Sequence, residues 1–474
     1  MNFKDIKYAY FLGIGGIGMS AIARYFNHQG IKVYGYDKTE TDLTKELVSE
    51  GIDIHYEDDE NKILNSQFSI LNCLVVLTPA IPKDHQEWKW FRENNFTILK
   101  RSQVLGIITD VYKTIGVAGT HGKTTTSTLI AHILKQSKVD CAAFLGGISS
   151  NYQSNLLLHK TEHQAPNTEH QLMVVEADEF DRSFLTLHPF ISIITSTDAD
   201  HLDIYGEHSE LKKSFMDYAM QTRDTIFIKK ELELYEEVVN AFHKISPTKK
   251  CKSYSIKNVA DVYANNIRIH TDQYLFDLHI EGRVLQDLYL GIPGMHNVEN
   301  AVAASASALE AGVTDVELRA GLASFKGVKR RFEYIIKQKN NIYIDDYAHH
   351  PEELKAIISS VKQMYHDKKI TVVFQPHLFS RTRDFVDGFA ESLSLADDVL
   401  LLDIYPAREL PMEGISSKII FDKMTIQNKI MCSKKDVVEL IKNKHPEVLL
   451  TLGAGDIDQL IEPLKNLFLE IKNS

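Results

Sequence analysis

The chain has 474 residues, 44% of them hydrophobic and 25% charged, with a formal net charge of −11. That balance is globular: it lacks the charge excess of a disordered chain, and no stretch approaches the ~18 to 20 apolar residues of a bilayer span. The negative charge argues against a nucleic-acid surface, which needs a dense basic stripe to displace counterions from phosphates.

Four cysteines, Cys73, Cys141, Cys251 and Cys432, stand far apart, with no C-x-x-C pair and no disulfide-like density. The start, MNFKDIKYAY, has charged residues before any apolar run and no signal-peptide core. A cytoplasmic protein is expected. At about 100 to 200 residues per domain, the length predicts three domains.

From Tyr8 to about Arg101, short apolar strands (YAYFLGIG, VYGYD, LVVLT, TILK) alternate with helical stretches such as MSAIARYFNHQG. This is the pattern of a doubly wound parallel sheet, assigned to residues 1–103. Its first turn, FLGIGGIGMSA, fits G-x-G-x-x-G through Gly13, Gly15 and Gly18, and Asp37 closes VYGYD. Such a fingerprint serves NAD or any other ligand with a diphosphate, because its glycines let the backbone approach phosphate at a helix start.

The central domain, residues 104–324, opens with YKTIGVAGTHGKTTTS. Backbone N–H groups of its turn, Gly119, Thr120, His121 and Gly122, can surround phosphate oxygens. The Lys123 ammonium can reach terminal phosphates, and a Thr hydroxyl, with Thr124 next in the chain, can ligate Mg²⁺. The spacing is not strict Walker, since Val117 stands six before Lys123. Acidic clusters follow two later strands: Glu176, Asp178, Glu179 and Asp181 in LMVVEADEFD, then Asp198, Asp200, His201 and Asp203 in TSTDADHLD. Alone each reads as a solvated turn, but after buried strands downstream of a phosphate loop they supply the hard oxygens of a Mg·ATP site.

Between these elements the polar run His159 to Gln171 reads as a surface excursion. VYANNIRIHTDQYLFDLHIEGRVLQDLYLGIPG alternates like antiparallel strands, and MHNVENAVAASASALEAG reads as a helix with a glycine stop. HNVENA places the amides of Asn297 and Asn300 on one helix face. Residues 325–474 reset the pattern with NIYIDDYAHHPEELK, ITVVFQPH, DVLLLDIYPA and VLLTLGAGD, so a third domain with an α/β sheet is expected, its loops after the strands available for ligands. KGVKRRFE and SRTRD, with Arg381 and Arg383, offer guanidinium forks for phosphate or carboxylate. His349 and His350 are not a zinc pair, because adjacent residues seldom point at one metal.

GTHGKTTT, EADE, DADH, HNVENA, KRRFE and DDYAHHP occur here in that order, and together they resemble the ATP-dependent muramyl ligase family over residues 11 to about 456. GIGGIGMSAIA, FQPHLFSRTRD and LLDIYPARE look like the branch that takes L-alanine. The resemblance implies three α/β domains: a Rossmann-like UDP-substrate domain, a central P-loop ATPase-type mixed sheet and a C-terminal Rossmann-like domain. It also implies a reaction on UDP-MurNAc and L-alanine, with ATP and Mg²⁺, through an acyl phosphate.

By the same resemblance Lys123 stabilises the β- and γ-phosphates within the loop Gly119 to Thr125, while Thr124 and Glu176 hold Mg²⁺ and His201 helps hold a second. Asn297, Asn300, Arg331 and Asp346 match ATP-contacting positions, and His349, Arg381 and Arg383 face the alanine and acyl phosphate. Gly15, Gly16, Ile17, Gly18, Met19 and Ser20 receive the UDP diphosphate, with Asp37 on the uridine side and Thr78, Pro79, Ala80 and Ile81 near the base. Several sister ligases carry a carbamoylated lysine after the DADH-like motif; here the region reads KKSFMDY, and Lys213 is not given that role. The rivals are a sister ligase that recycles murein tripeptide, an NAD oxidoreductase and a nucleotide-regulated binding module. A monomer or homodimer without nucleic-acid or membrane partners is expected.

Overall fold

The computed structural model describes residues 6–64, 71–160, 171–199, 202–245, 248–270, 273–339, 341–407 and 409–470. Its first sheet holds β1 (Tyr8–Leu12), β2 (Lys32–Tyr36), β3 (Asp53–His55), β4 (Cys73–Leu77) and β5 (Thr97–Lys100), all parallel, in the order β3-β2-β1-β4-β5. Both faces of β4 are buried, which is why CLVVL reads as a continuous apolar run. The order reverses between β1 and β4, so the turns after these two strands flank the crevice where doubly wound sheets take ligands. β3 is absent from the sequence reading because DIH is too short and too polar to signal a strand.

The second sheet holds β6 (Lys113–Ala118), β7 (Ala142–Ser149), β8 (Ser154–Leu157), β9 (Leu172–Glu176), β10 (Ile191–Ile194), β11 (Thr225–Lys229), β12 (Lys250–Ser255) and the start of β13 (Val262–His270). The order is β13-β12-β11-β10-β6-β9-β7-β8, parallel except for β7 against β8. β14 (Gln273–Ile280) and β15 (Arg283–Leu290) form the antiparallel hairpin expected of the alternating stretch, whereas β13 pairs parallel with β12. The expected helix runs Met295–Glu310 and stops before Gly312, whose φ is +98°. Residues 161–170 of the anticipated polar excursion lie outside the described residues.

The third sheet holds β16 (Glu333–Lys337), β17 (Ile342–Asp346), β18 (Ile370–Phe374), β19 (Asp398–Leu401), β20 (Lys429–Met431) and β21 (Val448–Leu452). Its order is β16-β17-β21-β18-β19-β20, with β16 alone antiparallel. Three α/β sheets are what the sequence led us to expect.

The three sheets fall into two compact units: Met1–Tyr263 with Ala303–Gly321, and Ala264–Val302 with Leu322–Ser474. In the first unit the helix Ile17–His28 packs on β7 and β8. Buried Asn155 fastens it there, donating to Ile17 O at 2.7 Å and Ser20 Oγ at 2.8 Å and accepting from Arg24 at 2.6 Å. Among the described residues no helix is long and apolar enough to cross a membrane.

Candidate active site

The first glycine-rich turn leaves β1 through Gly13, whose φ of +87° suits glycine. A side chain there would also meet Thr78, since a Cβ would lie 2.5 Å from Thr78 Cγ2 and 3.5 Å from Ile81 Cδ1. Thr78 N donates to Leu12 O at 3.4 Å, and Ile81 N to Thr78 O at 3.2 Å. The turn Thr78–Pro79–Ala80–Ile81 therefore closes over the glycines.

On the other side Asp37, just past β2, accepts from Gly15 N at 2.7 Å through Oδ2. Gly16 caps the helix Ile17–His28 without a side-chain hydrogen bond, and Met19 and Ser20 are buried in its first turns. Gly18 lies under Arg101, with a Cβ position 2.7 Å from Nη1. The residues expected to hold a diphosphate are thus gathered at the crevice between β1 and β4.

The second turn leaves β6 through Gly119 at φ +139° and enters the helix Lys123–Gln136 through Gly122 at φ +82°. A Cβ on Gly119 would stand 2.1 Å from Thr195 Oγ1 and 2.8 Å from Ser196 N, so the loop after β10 lies directly on it. That loop holds the turn by hydroxyls. Ser196 Oγ accepts from His121 N at 2.6 Å and lies 2.9 Å from Thr120 Oγ1, and Thr195 Oγ1 donates to His121 O at 2.5 Å. His121 Nε2 is 3.7 Å from the exposed Asp198 carboxylate. Thr124 and Thr125 are buried in the first helical turn.

Lys123 folds back over this turn. Its Nζ donates to Gly119 O at 2.6 Å and pairs with the buried Glu179 at 2.8 Å. Burial opposes the ammonium charge, but the carboxylates of Glu179, Glu176 and Asp178 outweigh it and raise the Lys123 pKa. Burial in turn pushes Glu179 up to about 7, against the attraction of Lys123. Glu179 is also fixed from behind, because Tyr205 OH donates to its carbonyl at 2.6 Å.

The first acidic cluster does not act as one group. Glu179 goes to Lys123, Asp178 pairs with Arg101 at 3.1 Å and Asp181 with Lys100 at 2.9 Å. The Glu176 carboxylate lies across β7, where a Cβ on Gly146 would be 2.0 Å from Oε2. Thr124 and Glu176 present hard oxygens suited to Mg²⁺. Among the described residues no group of three or more His, Cys, Asp or Glu side chains is placed to hold a metal ion by itself. His201 and Asp200 lie outside the described residues.

In the second unit Asn297 and Asn300, placed on one helix face by their spacing, are buried. Asn300 Nδ2 donates to Asn297 Oδ1 at 3.2 Å, and Asn297 Nδ2 donates to Pro293 O. Asp346, at the end of β17, accepts from Phe332 N and Ala348 N, each at 2.7 Å. Burial pushes its carboxyl up to about 6, opposed by Arg331. Arg331 stacks on Tyr347 and approaches Glu353 at 3.6 Å.

The two adjacent histidines diverge. His350 caps the helix Pro351–Met364 and meets Phe385 edge-on, while His349 turns to Tyr347 O at 3.0 Å and Glu353 at 3.4 Å. The His349 and His377 rings are 6.1 Å apart, and buried Arg381 approaches His377 at 3.4 Å. Arg383 points away into an exposed pair with Asp384 at 2.7 Å.

Sequence reasoning did not single out Glu179 as the partner of Lys123, nor the Thr195 and Ser196 brace, nor Glu353 and His377. The consecutive hydroxyls of TST were the only local sign of a brace, and the rest are long-range contacts.

Three family models cover most of the chain: "Mur ligase family, catalytic domain" over residues 8–113, "Mur ligase middle domain" over 117–308 and "Mur ligase, glutamate ligase domain" over 330–455. The UDP-N-acetylmuramate–L-alanine ligase of Flavobacterium johnsoniae is 48% identical over 472 residues, 99% of this chain and 100% of its own. Among solved structures, a UDP-N-acetylmuramate-alanine ligase from Thermotoga maritima is similar at 28% identity, TM-score 0.79, covering 98% of this chain and 99% of that one. A murein peptide ligase from Psychrobacter arcticus has the same fold at 22% identity, TM-score 0.69, covering 98% of each chain.

Proposed function

The chain belongs to the Mur ligase family, and on that premise we propose how its residues perform the reaction. It is an ATP-dependent carboxylate–amine ligase that joins L-alanine to UDP-N-acetylmuramate in the synthesis of peptidoglycan precursors. The observation that carries the residue assignment is the pairing of two glycine-rich turns in one compact unit, one closed by a carboxylate, Asp37, and the other by an ammonium, Lys123.

A carboxylate is a poor acyl donor until one oxygen becomes a good leaving group. Transfer of the γ-phosphoryl group of ATP makes it one, and the amine of L-alanine then displaces phosphate to form the amide. Such transfer needs positioning and charge neutralisation more than a protein nucleophile. Lys123 exchanges Glu179 for the β- and γ-phosphates, while N–H groups of Gly119 to Thr125 line the same phosphates. Thr124 and Glu176 would hold Mg²⁺ and His201 would help hold a second ion; bound Mg²⁺ would supply charge neutralisation on the transferring phosphoryl group. Asn297, Asn300, Arg331 and Asp346 contact ATP.

His349 and the buried Arg381 face the alanine and the acyl phosphate, with Arg383 as an outer cation. Gly15 to Ser20 bind the UDP diphosphate, Asp37 the uridine side and Thr78 to Ile81 the base. We assign residues 1–103 to the sugar nucleotide, 104–324 to ATP and 325–474 to ligation, in a cytoplasmic monomer or homodimer.

Phosphate release by purified protein tests this. It should require UDP-MurNAc and L-alanine together, one phosphate per amide formed. Release independent of both substrates would leave only a nucleotide-hydrolysing switch.

A further inference from the structure

Arg101 follows β5 directly and opens the helix Arg101–Thr109. That is the wrong end of a helix for a cation, since the macrodipole is positive there. Lys100 adds a second positive charge, and the first turn carries no acidic residue. Helix stability therefore does not account for this arginine.

Its surroundings do. Arg101 lies against Gly18, in the first turn of the helix Ile17–His28, so close that a Cβ there would be 2.7 Å from Nη1 and 3.2 Å from Cζ. The third glycine of the fingerprint makes room for a guanidinium. Among the described residues the Arg101 fork makes one side-chain hydrogen bond, from Nη2 to Asp178 at 3.1 Å. Nη1, the nitrogen nearer the glycine turn, makes none. Arg101, Ser102, Glu176, Asp178 and Ser183 line a small cleft. Arg101 thus stands between the turn that receives a diphosphate and the acidic loop after β9.

We propose that Arg101 binds the diphosphate of the sugar nucleotide, and that Asp178 holds the guanidinium in place until the substrate displaces it. This rests on the reading of the first sheet as the sugar-nucleotide domain. A planar fork with five donors is matched to phosphate oxygens, and a single half-buried carboxylate contact through one nitrogen leaves the rest of the fork to be taken by them. Asp178 is then a competitor of the substrate rather than a partner in binding it.

Calorimetry with UDP-MurNAc, and ligand-observed NMR with uridine, test the assignment on the full chain. Arg101→Ala should weaken UDP-MurNAc roughly 10- to 100-fold, the loss of a hydrogen bond to a charged group, while uridine and ATP bind as before. Arg101→Lys should recover part of the affinity, and Asp178→Asn should bind UDP-MurNAc more tightly than the unmodified protein.

Unchanged affinity in Arg101→Ala would overturn the proposal, as would equal losses for uridine and UDP-MurNAc, which mark a structural role. Weaker binding by Asp178→Asn would overturn the exchange. Failure of the unmodified protein to bind UDP-MurNAc at all would instead overturn the underlying reading of the first sheet.

Discussion

The two glycine-rich turns of the first unit use one backbone device in opposite electrostatic settings. Each follows a buried parallel strand, carries a glycine at positive φ and opens a helix. In the first, a carboxylate closes the turn: Asp37 accepts from Gly15 N, and the neighbouring cation, Arg101, is supplied from the end of another strand. In the second, the cation belongs to the turn itself, and Lys123 is held over it by Glu179. Glycines in such turns let a phosphate approach the backbone, and under the proposed assignment the charged side chain that closes each turn sets what else it recognises. A carboxylate suits the hydroxyls of a nucleoside, and an ammonium suits the terminal phosphates of a triphosphate.

The sharpest way to separate the turns is to remove that cation. Lys123→Ala should lower kcat on the order of 10²- to 10³-fold or more in a coupled phosphate assay, while calorimetric affinity for UDP-MurNAc stays unchanged. Equal loss of both activities would merge the two turns into one site. The glycines should separate next. Gly119→Ala combines φ +139° with a 2.1 Å approach to Thr195, and should cost roughly 2 to 4 kcal/mol in chemical denaturation. Gly18→Ala first meets a side chain, that of Arg101, rather than backbone, and should stay within about 1 kcal/mol of the parent.

A smaller effect belongs to Asp37. Asp37→Ala should weaken UDP-MurNAc about tenfold and leave ATP affinity as it was, since one charge-assisted hydrogen bond is lost. The smallest is a slope. Burial raises Glu179 from 4.5 to about 7 in the folded chain, so the folded state binds more protons across that window and its stability falls as pH rises through it. Unfolding midpoints of Glu179→Gln measured between those pH values should show a flatter slope than the parent; a steeper one would place the proton elsewhere.

Most of this architecture was legible because its signals are local. Apolar runs such as CLVVL mark strands buried on both faces, and glycine clusters mark the turns that follow them. What escaped was either short or non-local. β3 has three residues, two of them charged or polar, and is a strand only because β2 lies beside it. Glu179 was visible as one acid among four, but its pairing with Lys123 is set by the fold of β9 against β6, which no spacing encodes. Arg381 and Arg383 look equivalent in SRTRD; helix geometry buries one beside His377 and leaves the other in solvent.

The central claim is that this ligase takes L-alanine rather than a preformed peptide. Purified protein given UDP-MurNAc, ATP, Mg²⁺ and equimolar L-alanine and murein tripeptide should yield the alanine adduct as the dominant product by mass spectrometry. Faster incorporation of the tripeptide would contradict the account and assign the chain to the recycling branch.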